Sequence, residues 1–192
     1  MDYYEKNAEA FVASTFSVDM QSIYERFLPL LPERASILDA GCGSGRDALH
    51  FKKNGYPVTA FDASANIARL AERELGQSVD VLYLQDIKYQ DQFDGIWACA
   101  SLLHVPLKNL AAVFHRLARA LKVHGVLYCS FKYGHAEYEK RGRFFTDLDE
   151  LGLALLITEI EILNIDELWV STDRRPGRVQ ERWLNAILRR CD

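Results

Sequence analysis

Short apolar runs alternate along the chain with longer segments in which apolar residues recur every three or four positions. The short runs predict β-strands and the longer segments predict amphipathic helices. Strands are predicted over residues 36–40, 57–62, 79–86, 93–100 and 125–132. Helices are predicted over 46–54, 64–76, 107–122 and 146–156, after an earlier helix that carries Met20, Ile23 and Phe27 and that Ser17 or Asp19 could cap. Because strands and helices alternate, we expect a parallel, doubly wound sheet with right-handed crossovers.

The pattern changes in the last third of the chain. Residues 157–165 and 178–190 are two strand candidates with no helix between them, and the turn signal RRPG lies at 174–177. Strands joined without a helix are antiparallel neighbours. The second candidate is apolar on both faces over 183–188, which places it inside the sheet. We therefore predict an α/β fold with a doubly wound, seven-stranded, mostly parallel sheet that ends in an antiparallel hairpin.

Composition and charge limit the possible partners. The chain has 192 residues, 49% hydrophobic and 26% charged, which predicts a single domain over 1–192. No apolar run approaches the roughly 20 residues that span a bilayer, and the first residues lack a basic segment followed by an apolar one. We therefore expect a cytoplasmic protein without membrane association.

A net charge of −4 disfavours nucleic acid as a partner. The four cysteines form no CxxC pair, so reduced thiols and no metal site are expected.

Residues 38–47 read LDAGCGSGRD, an apolar run followed by glycine at every second position. A loop that leaves the carboxyl end of a central parallel strand lies where open α/β sheets bind ligands. Glycine in such a loop lets the main chain approach a ligand closely. The usual dinucleotide fingerprint has glycine at its sixth position, where this chain has Arg46. An arginine side chain there would crowd a pyrophosphate, so the pattern disfavours a dinucleotide.

These motifs carry a family resemblance. The DAGCGSG loop, Asp62 at the end of the next strand, Asp86 after the third and the terminal hairpin resemble the class I S-adenosylmethionine-dependent methyltransferases, which have a Rossmann-like sheet. The motifs cover residues 36–132. Through GCGSGRDALHF and SLLHVP the chain is similar to small stand-alone enzymes of the methyltransferase type 11/12 and tellurite-resistance-like group. The resemblance implies S-adenosyl-L-methionine as cofactor, S-adenosyl-L-homocysteine as product and residues 1–35 as an N-terminal helical cap segment.

The resemblance also implies which residues bind the cofactor. The glycine loop would line the methionine end, Asp62 would accept hydrogen bonds from the ribose hydroxyls, and Asp86 with the backbone of Ile87 would meet the adenine. A turn or helix-cap role is the alternative for each, and Arg46 could meet the cofactor carboxylate or lie in solvent. The full set of expected cofactor-binding residues is Tyr4, Asp39, Gly41, Gly43, Gly45, Arg46, Asp62, Ala63, Ser64, Asp86, Ile87, Ala100 and Ser101.

His104, in SLLHVP, is the candidate catalytic residue. Methyl transfer is an in-line displacement, so alignment of the reactants supplies much of the rate, and a general base is needed only when the acceptor must lose a proton. His104 follows the fourth strand and is therefore the best-placed base, although packing against the cofactor is an equal alternative. Tyr3 and Tyr4 suggest an aromatic N-terminal helix that closes over the cofactor, with core packing as the alternative.

Missing motifs narrow the acceptor. The [DNS]PP[YFW] tetrapeptide of amino-methylating nucleic-acid enzymes is replaced by ACAS at 98–101, and there is no Pro-Cys nucleophile. We therefore expect a small-molecule methyl acceptor, no nucleic-acid partner, and a monomer or homodimer. Residues that could line the acceptor pocket, if they are not simply solvated, are Lys132, Tyr133, His135, Arg141 and Arg143. Two other functions stay open: a nicotinamide-dependent oxidoreductase and a non-catalytic S-adenosylmethionine-binding regulator.

Overall fold

The computed structural model describes residues 2–175 and 177–192. Its helices are α1 (Asp2–Thr15), α2 (Gln21–Phe27), α3 (Arg46–Lys53), α4 (Ala65–Leu75), α5 (Leu107–Ala120) and α6 (Glu150–Thr158). Its strands are β1 (Ile37–Ala40), β2 (Val58–Asp62), β3 (Asp80–Val81), β4 (Phe93–Ala98), β5 (Leu121–Lys132), β6 (Glu137–Lys140), β7 (Arg143–Thr146), β8 (Leu163–Thr172) and β9 (Arg182–Arg190). Short 3-10 turns lie at Leu28–Leu30, Leu84–Asp86 and Leu102–His104.

Seven strands form one sheet in the order β3-β2-β1-β4-β5-β9-β8. The pairings among β1 to β5 are parallel, and β9 is antiparallel to both β5 and β8. The predicted fold class is therefore confirmed, including the position of the last strand inside the sheet. Its register with β5 runs from Val126 opposite Arg189 to Lys132 opposite Trp183. Both faces of β9 are covered over Leu184–Leu188, as its continuous apolar run predicted.

The helix boundaries follow from capping side chains. The Ser64 hydroxyl accepts a hydrogen bond from the Ile67 amide, and Gly76 ends α4 in the left-handed conformation, both as predicted. Before α2, the Asp19 carboxylate accepts from the Gln21 amide at 2.8 Å. The Asp149 carboxylate accepts from the Gly152 amide, so α6 begins at Glu150 and not at 146. These caps satisfy amides that have no partner within the helix.

Three elements differ from the prediction. The third strand was expected over 79–86, but it pairs only at Asp80–Val81 because Leu84–Asp86 turns into a 3-10 helix at the sheet edge. The strand expected over 157–165 begins at Leu163 because α6 continues to Thr158 and buries Ile157. The β6–β7 hairpin was not predicted at all. Part of the expected turn at 174–177, Pro176, lies outside the described residues.

The core consists of helices packed on both faces of the sheet. On one face, α2 places Ile23, Tyr24 and Phe27 against Phe51 and Trp97. Full burial of each such side chain stabilises the fold by about 1.5–3 kcal/mol. Across the described ranges, no helix combines the length and the apolarity that a membrane span requires.

The topology also decides where a site can lie. β1, β2, β4 and β5 run parallel, so their carboxyl ends meet at one edge of the sheet. The loops that leave these ends include the glycine loop after β1, the segment after Asp62, and the turn at Leu102–His104. Helix α1 packs on α4 and reaches this edge, where the Phe11 ring lies against Gly43. The edge therefore carries a cleft covered on one side by α1.

Candidate active site

A cleft of about 550 Å³ lies at the carboxyl ends of the parallel strands. This volume lies within the range of small-molecule and cofactor sites. The structure brings most of the predicted site residues together around it. The predicted residues that line the cleft are Tyr4, Gly41, Gly43, Arg46, Asp62, Ala63, Ala100, Ser101 and His104.

The glycine loop brings the β1 and β4 loops into contact. A Cβ atom on Gly41 would lie 2.6 Å from the Ser101 Cβ, and Gly41 has a φ of +81°. Only glycine allows both this approach and this backbone conformation. Ser101 has a buried hydroxyl that finds no hydrogen-bond partner within residues 2–175 and 177–192. A ligand with a polar group would satisfy this oxygen, so the site fits the methionine end of the expected cofactor.

Asp62 lies one strand away from the glycine loop. One carboxylate oxygen accepts from the Gly43 amide at 3.0 Å, and the other accepts from the Ser64 amide at 2.9 Å. Burial raises the pKa of Asp62, and the backbone amides of Ser64 and Gly43 oppose this shift. Each carboxylate oxygen has two lone pairs, so both can still accept a further hydrogen bond. Asp62 is thus fixed by the same loop that it faces.

Arg46 and Asp47 form a buried ion pair at the start of α3. The guanidinium donates to both Asp47 oxygens, from Nε at 2.7 Å and from one terminal nitrogen at 2.8 Å. Asp47 also accepts from the Tyr24 hydroxyl and from the Trp97 indole nitrogen. Although burial favours the neutral acid, Arg46 and these donors lower the pKa of Asp47. Arg46 also donates to the Thr15 carbonyl at 3.2 Å, so this pair ties the end of α1 to α3.

His104 is engaged through both ring nitrogens. Nδ1 lies 2.7 Å from the Phe144 carbonyl oxygen, which can only accept, so Nδ1 carries the proton. Nε2 lies 2.8 Å from the Tyr4 hydroxyl and therefore accepts from it. Burial lowers the pKa of His104 to about 4, and Arg143 adds to this effect. The imidazole is thus neutral at pH 7 and holds the Tyr4 hydroxyl in place.

The burial of the neutral His104 imidazole predicts that the folded protein is less stable in acid. We expect the free energy of unfolding to fall by about 3 kcal/mol between pH 6.5 and pH 4, because His104 is protonated in the unfolded chain but not in the folded one over that window. His104→Gln keeps an acceptor for Tyr4 and cannot titrate, so it should lack this loss. Urea unfolding of both proteins at several pH values tests this. Parallel pH dependences would contradict it.

Five of the predicted site residues do not line the cleft, so the prediction that they lie at its surface is corrected. Asp39 is buried beneath the loop and accepts from the Ala48 amide at 3.0 Å. Gly45 opens α3 beside Ala71 and Leu75 of α4, and Ser64 caps α4. Asp86 is exposed, whereas Ile87 is buried in the core.

Other residues line the cleft that the sequence did not single out. The segment Leu82–Gln85, just before Asp86, faces the cleft because the 3-10 turn carries Asp86 away from it. Phe11 covers the glycine loop, and the β6–β7 hairpin contributes Phe144 and Phe145. Of the residues considered for the acceptor pocket, Lys132 and Arg143 line the cleft, whereas Tyr133, His135 and Arg141 do not. In the sequence, the run of one basic and two aromatic residues at 143–145 was the feature that could have predicted that this hairpin lines the cleft.

The family of the chain is established by comparison with known proteins. The model of a methyltransferase domain family matches residues 12–152, and the chain belongs to this family. The predicted class I methyltransferase resemblance is thereby confirmed, while the type 11/12 and tellurite-resistance-like subgroup stays a prediction.

Individual relatives agree with this assignment. A putative methyltransferase of Bacillus subtilis, YqeM, is 33% identical over 104 residues, which are 50% of this chain and 42% of that protein. The chain spans about two fifths of the length of the curated relatives it matches.

Solved structures share the fold. A Burkholderia thailandensis 1,6-didemethyltoxoflavin-N1-methyltransferase, solved with bound 1,6-didemethyltoxoflavin and S-adenosylhomocysteine, has a TM-score of 0.77 at 21% identity, over 100% of this chain and 90% of its own. The [4+2]-cyclase SpnF has a TM-score of 0.74 at 17% identity, over 99% of this chain and 94% of its own. A [4+2]-cyclase and a methyltransferase catalyse different reactions, so the fold alone does not define the chemistry.

Proposed function

We propose that this chain transfers a methyl group from S-adenosyl-L-methionine to a small-molecule acceptor. One observation carries the proposal. Gly41 and Gly43, whose backbone has no side chains, line the same cleft as the Asp62 carboxylate, which lies one strand away. The family match supports the same function. We further propose that residues 1–192 act as one domain, with α1 as the covering part of the 1–35 segment.

The cofactor, when bound, supplies a methyl group on a positively charged sulfur. We propose that Asp62 accepts hydrogen bonds from the ribose hydroxyls. We also propose that the adenine contacts Leu82, Leu84 and Gln85, in place of Asp86 and Ile87. Ser101 and Arg46 would contact the methionine end, where Ser101 has the unpartnered hydroxyl. Asp39 would act beneath the loop by fixing the start of α3 through its bond to Ala48.

Alignment is the main contribution that these residues make to the rate. His104 keeps the Tyr4 hydroxyl oriented toward the cleft, with Nε2 as acceptor. Its alternative role as general base stays a prediction. Turnover by His104→Gln that equals that of the wild type would remove His104 from the catalytic group.

Isothermal calorimetry on the purified chain tests the proposal. We expect S-adenosyl-L-homocysteine to bind with a micromolar dissociation constant, about −8 kcal/mol, and NAD to give no heat. Heat with NAD alone would instead support the nicotinamide-dependent oxidoreductase. Binding of S-adenosyl-L-homocysteine without methyl transfer to any compound in a metabolite extract, followed with a labelled methyl donor, would support the non-catalytic regulator. The cytoplasmic location, the absence of a nucleic-acid partner and a monomeric or homodimeric state belong to the same proposal.

A further inference from the structure

The cations that line the cleft differ in whether a carboxylate already neutralises them. Arg46 is paired with Asp47, and Arg175 is paired with Asp173 through its Nε at 2.9 Å. Lys132 and Arg178 both lie near Glu181, at 3.1 Å and 3.6 Å. Arg174 is exposed and donates to the Ser22 hydroxyl. Most of the positive charge in the cleft is therefore already balanced or lies in solvent.

Arg143 is different. It has no carboxylate partner among the residues that the structure describes, and its Nε is buried without a hydrogen-bond partner. Its guanidinium carbon lies 4.4 Å from the centre of the Tyr3 ring and 5.2 Å from that of Phe145. The Arg143 guanidinium also donates a hydrogen bond to the Tyr4 hydroxyl, whereas the aromatic faces stabilise the cation without using its other N–H groups. Arg143 thus brings a positive charge without a carboxylate partner to the cleft, beside Tyr4 and His104.

The β6–β7 hairpin fixes Arg143 in this position. The Phe144 carbonyl accepts from His104, and the Thr146 hydroxyl donates to the Val105 carbonyl at 2.8 Å. The centre of the Phe145 ring lies 5.0 Å from that of the His104 ring and 5.1 Å from Lys132 Nζ, so a second cation flanks Phe145. The hairpin is therefore tied to the loop after β4, where Ala100 and Ser101 line the cleft.

Within residues 2–175 and 177–192, each carboxylate and the histidine that line the cleft already have hydrogen-bond partners in the protein. Its carboxylates are Asp47, Asp62 and Asp173, and every one of them accepts hydrogen bonds from arginine or from backbone amides. His104 uses both ring nitrogens. A neutral acceptor would therefore need a base that already has protein partners, whereas an anionic acceptor needs no base.

We propose that the methyl acceptor is an anion at neutral pH, a carboxylate or a similarly acidic oxygen or nitrogen acid, and that Arg143 binds its charged group. This inference rests on the proposed function. The acceptor's lone pair forms the bond to the methyl carbon, and the carbon–sulfur bond breaks with its electron pair passing to sulfur. The negative charge of the acceptor and the positive charge of the sulfonium both disappear, so no proton is transferred. Arg143 specifies the acceptor without taking part in a proton step.

Calorimetry on the chain saturated with S-adenosyl-L-homocysteine tests this with matched probes. Benzoate, 1-naphthoate and indole-3-carboxylate are each compared with the corresponding neutral carboxamide. We expect at least one carboxylate to bind the wild type about tenfold or more tightly than its amide, as a charge-assisted hydrogen bond allows. Arg143→Gln should abolish this preference and Arg143→Lys should keep part of it. Arg73→Gln, which removes a positive charge from the exposed face of α4, should keep all of it.

The outcomes separate this inference from the proposed function. Binding of S-adenosyl-L-homocysteine with no carboxylate preference in the wild type would overturn the inference and leave the proposed function standing. The inference would also fail if Arg143→Gln weakened S-adenosyl-L-homocysteine binding while leaving the probes unchanged, because Arg143 would then hold the cofactor's own carboxylate. No binding of S-adenosyl-L-homocysteine would overturn both. A lower melting temperature in Arg143→Gln with an unchanged carboxylate preference would reduce Arg143 to a packing role.

Discussion

Asp62→Ala is expected to weaken S-adenosyl-L-homocysteine binding by about 100-fold or more. The substitution removes the two charge-assisted hydrogen bonds that we propose between Asp62 and the ribose, and bonds of this kind contribute about 1.5–3 kcal/mol each. It also removes the acceptor for the Gly43 and Ser64 amides, so the glycine loop loses the side chain that fixes it. Calorimetry measures the binding loss, and thermal unfolding reports any loss of folded protein.

Asp86→Ala is the matched control. It removes the same charge from an exposed position that does not line the cleft, so binding should equal that of the wild type. An equal loss in the two variants would restore Asp86 as the adenine contact that the sequence predicted. Unchanged affinity in Asp62→Ala would remove the carboxylate from the site and with it the main support for the cofactor.

Asp47→Ala is expected to cost about 3–5 kcal/mol in the free energy of unfolding, because it leaves the buried Arg46 guanidinium without its counter-ion. Tyr24 and Trp97 lose their hydrogen-bond acceptor in the same step. Urea unfolding measures the loss. Arg46 also holds the Thr15 carbonyl, so α1 should become more sensitive to proteolysis near residue 15.

Glu167→Ala is the control for that variant. It breaks the ion pair with Arg26 between α2 and β8, in which both side chains are more than 40% exposed. Exposed pairs of this kind contribute about 0–1 kcal/mol. A similar small loss in Asp47→Ala would show that the buried network does not stabilise the fold.

Periodicity predicted the sheet well because burial decides it. Strands β1, β2, β4 and β5 lie inside the sheet, and their short apolar runs, separated by amphipathic helices, are typical of a buried parallel sheet. The inside position of β9 followed from the same argument. By contrast, β3 lies at the sheet edge, where Val81 and Tyr83 are exposed, and an apolar run there does not require pairing. The small β6–β7 hairpin has only four residues in each strand, too few for alternation to be recognised.

The candidate site was predictable where it depends on the backbone. Gly41, Gly43 and Asp62 lie at strand ends, and the strand order alone places them together. Contacts that depend on side-chain direction were not predictable: Asp39 points to Ala48 beneath the loop, and one 3-10 turn moves Asp86 out of the cleft. The two hydrogen bonds of His104 join residues 100 and 40 positions apart, which no local pattern reports.

The strand order gives β9 a particular mechanical importance. Among the strands of the described residues, β8 is hydrogen-bonded only to β9, and β9 is also hydrogen-bonded to β5. Strand β9, although it follows β8 in the sequence, therefore lies between β8 and the parallel strands. Loss of the β5–β9 pairing would therefore separate both β9 and β8 from β5, the strand whose last residue, Lys132, lines the cleft.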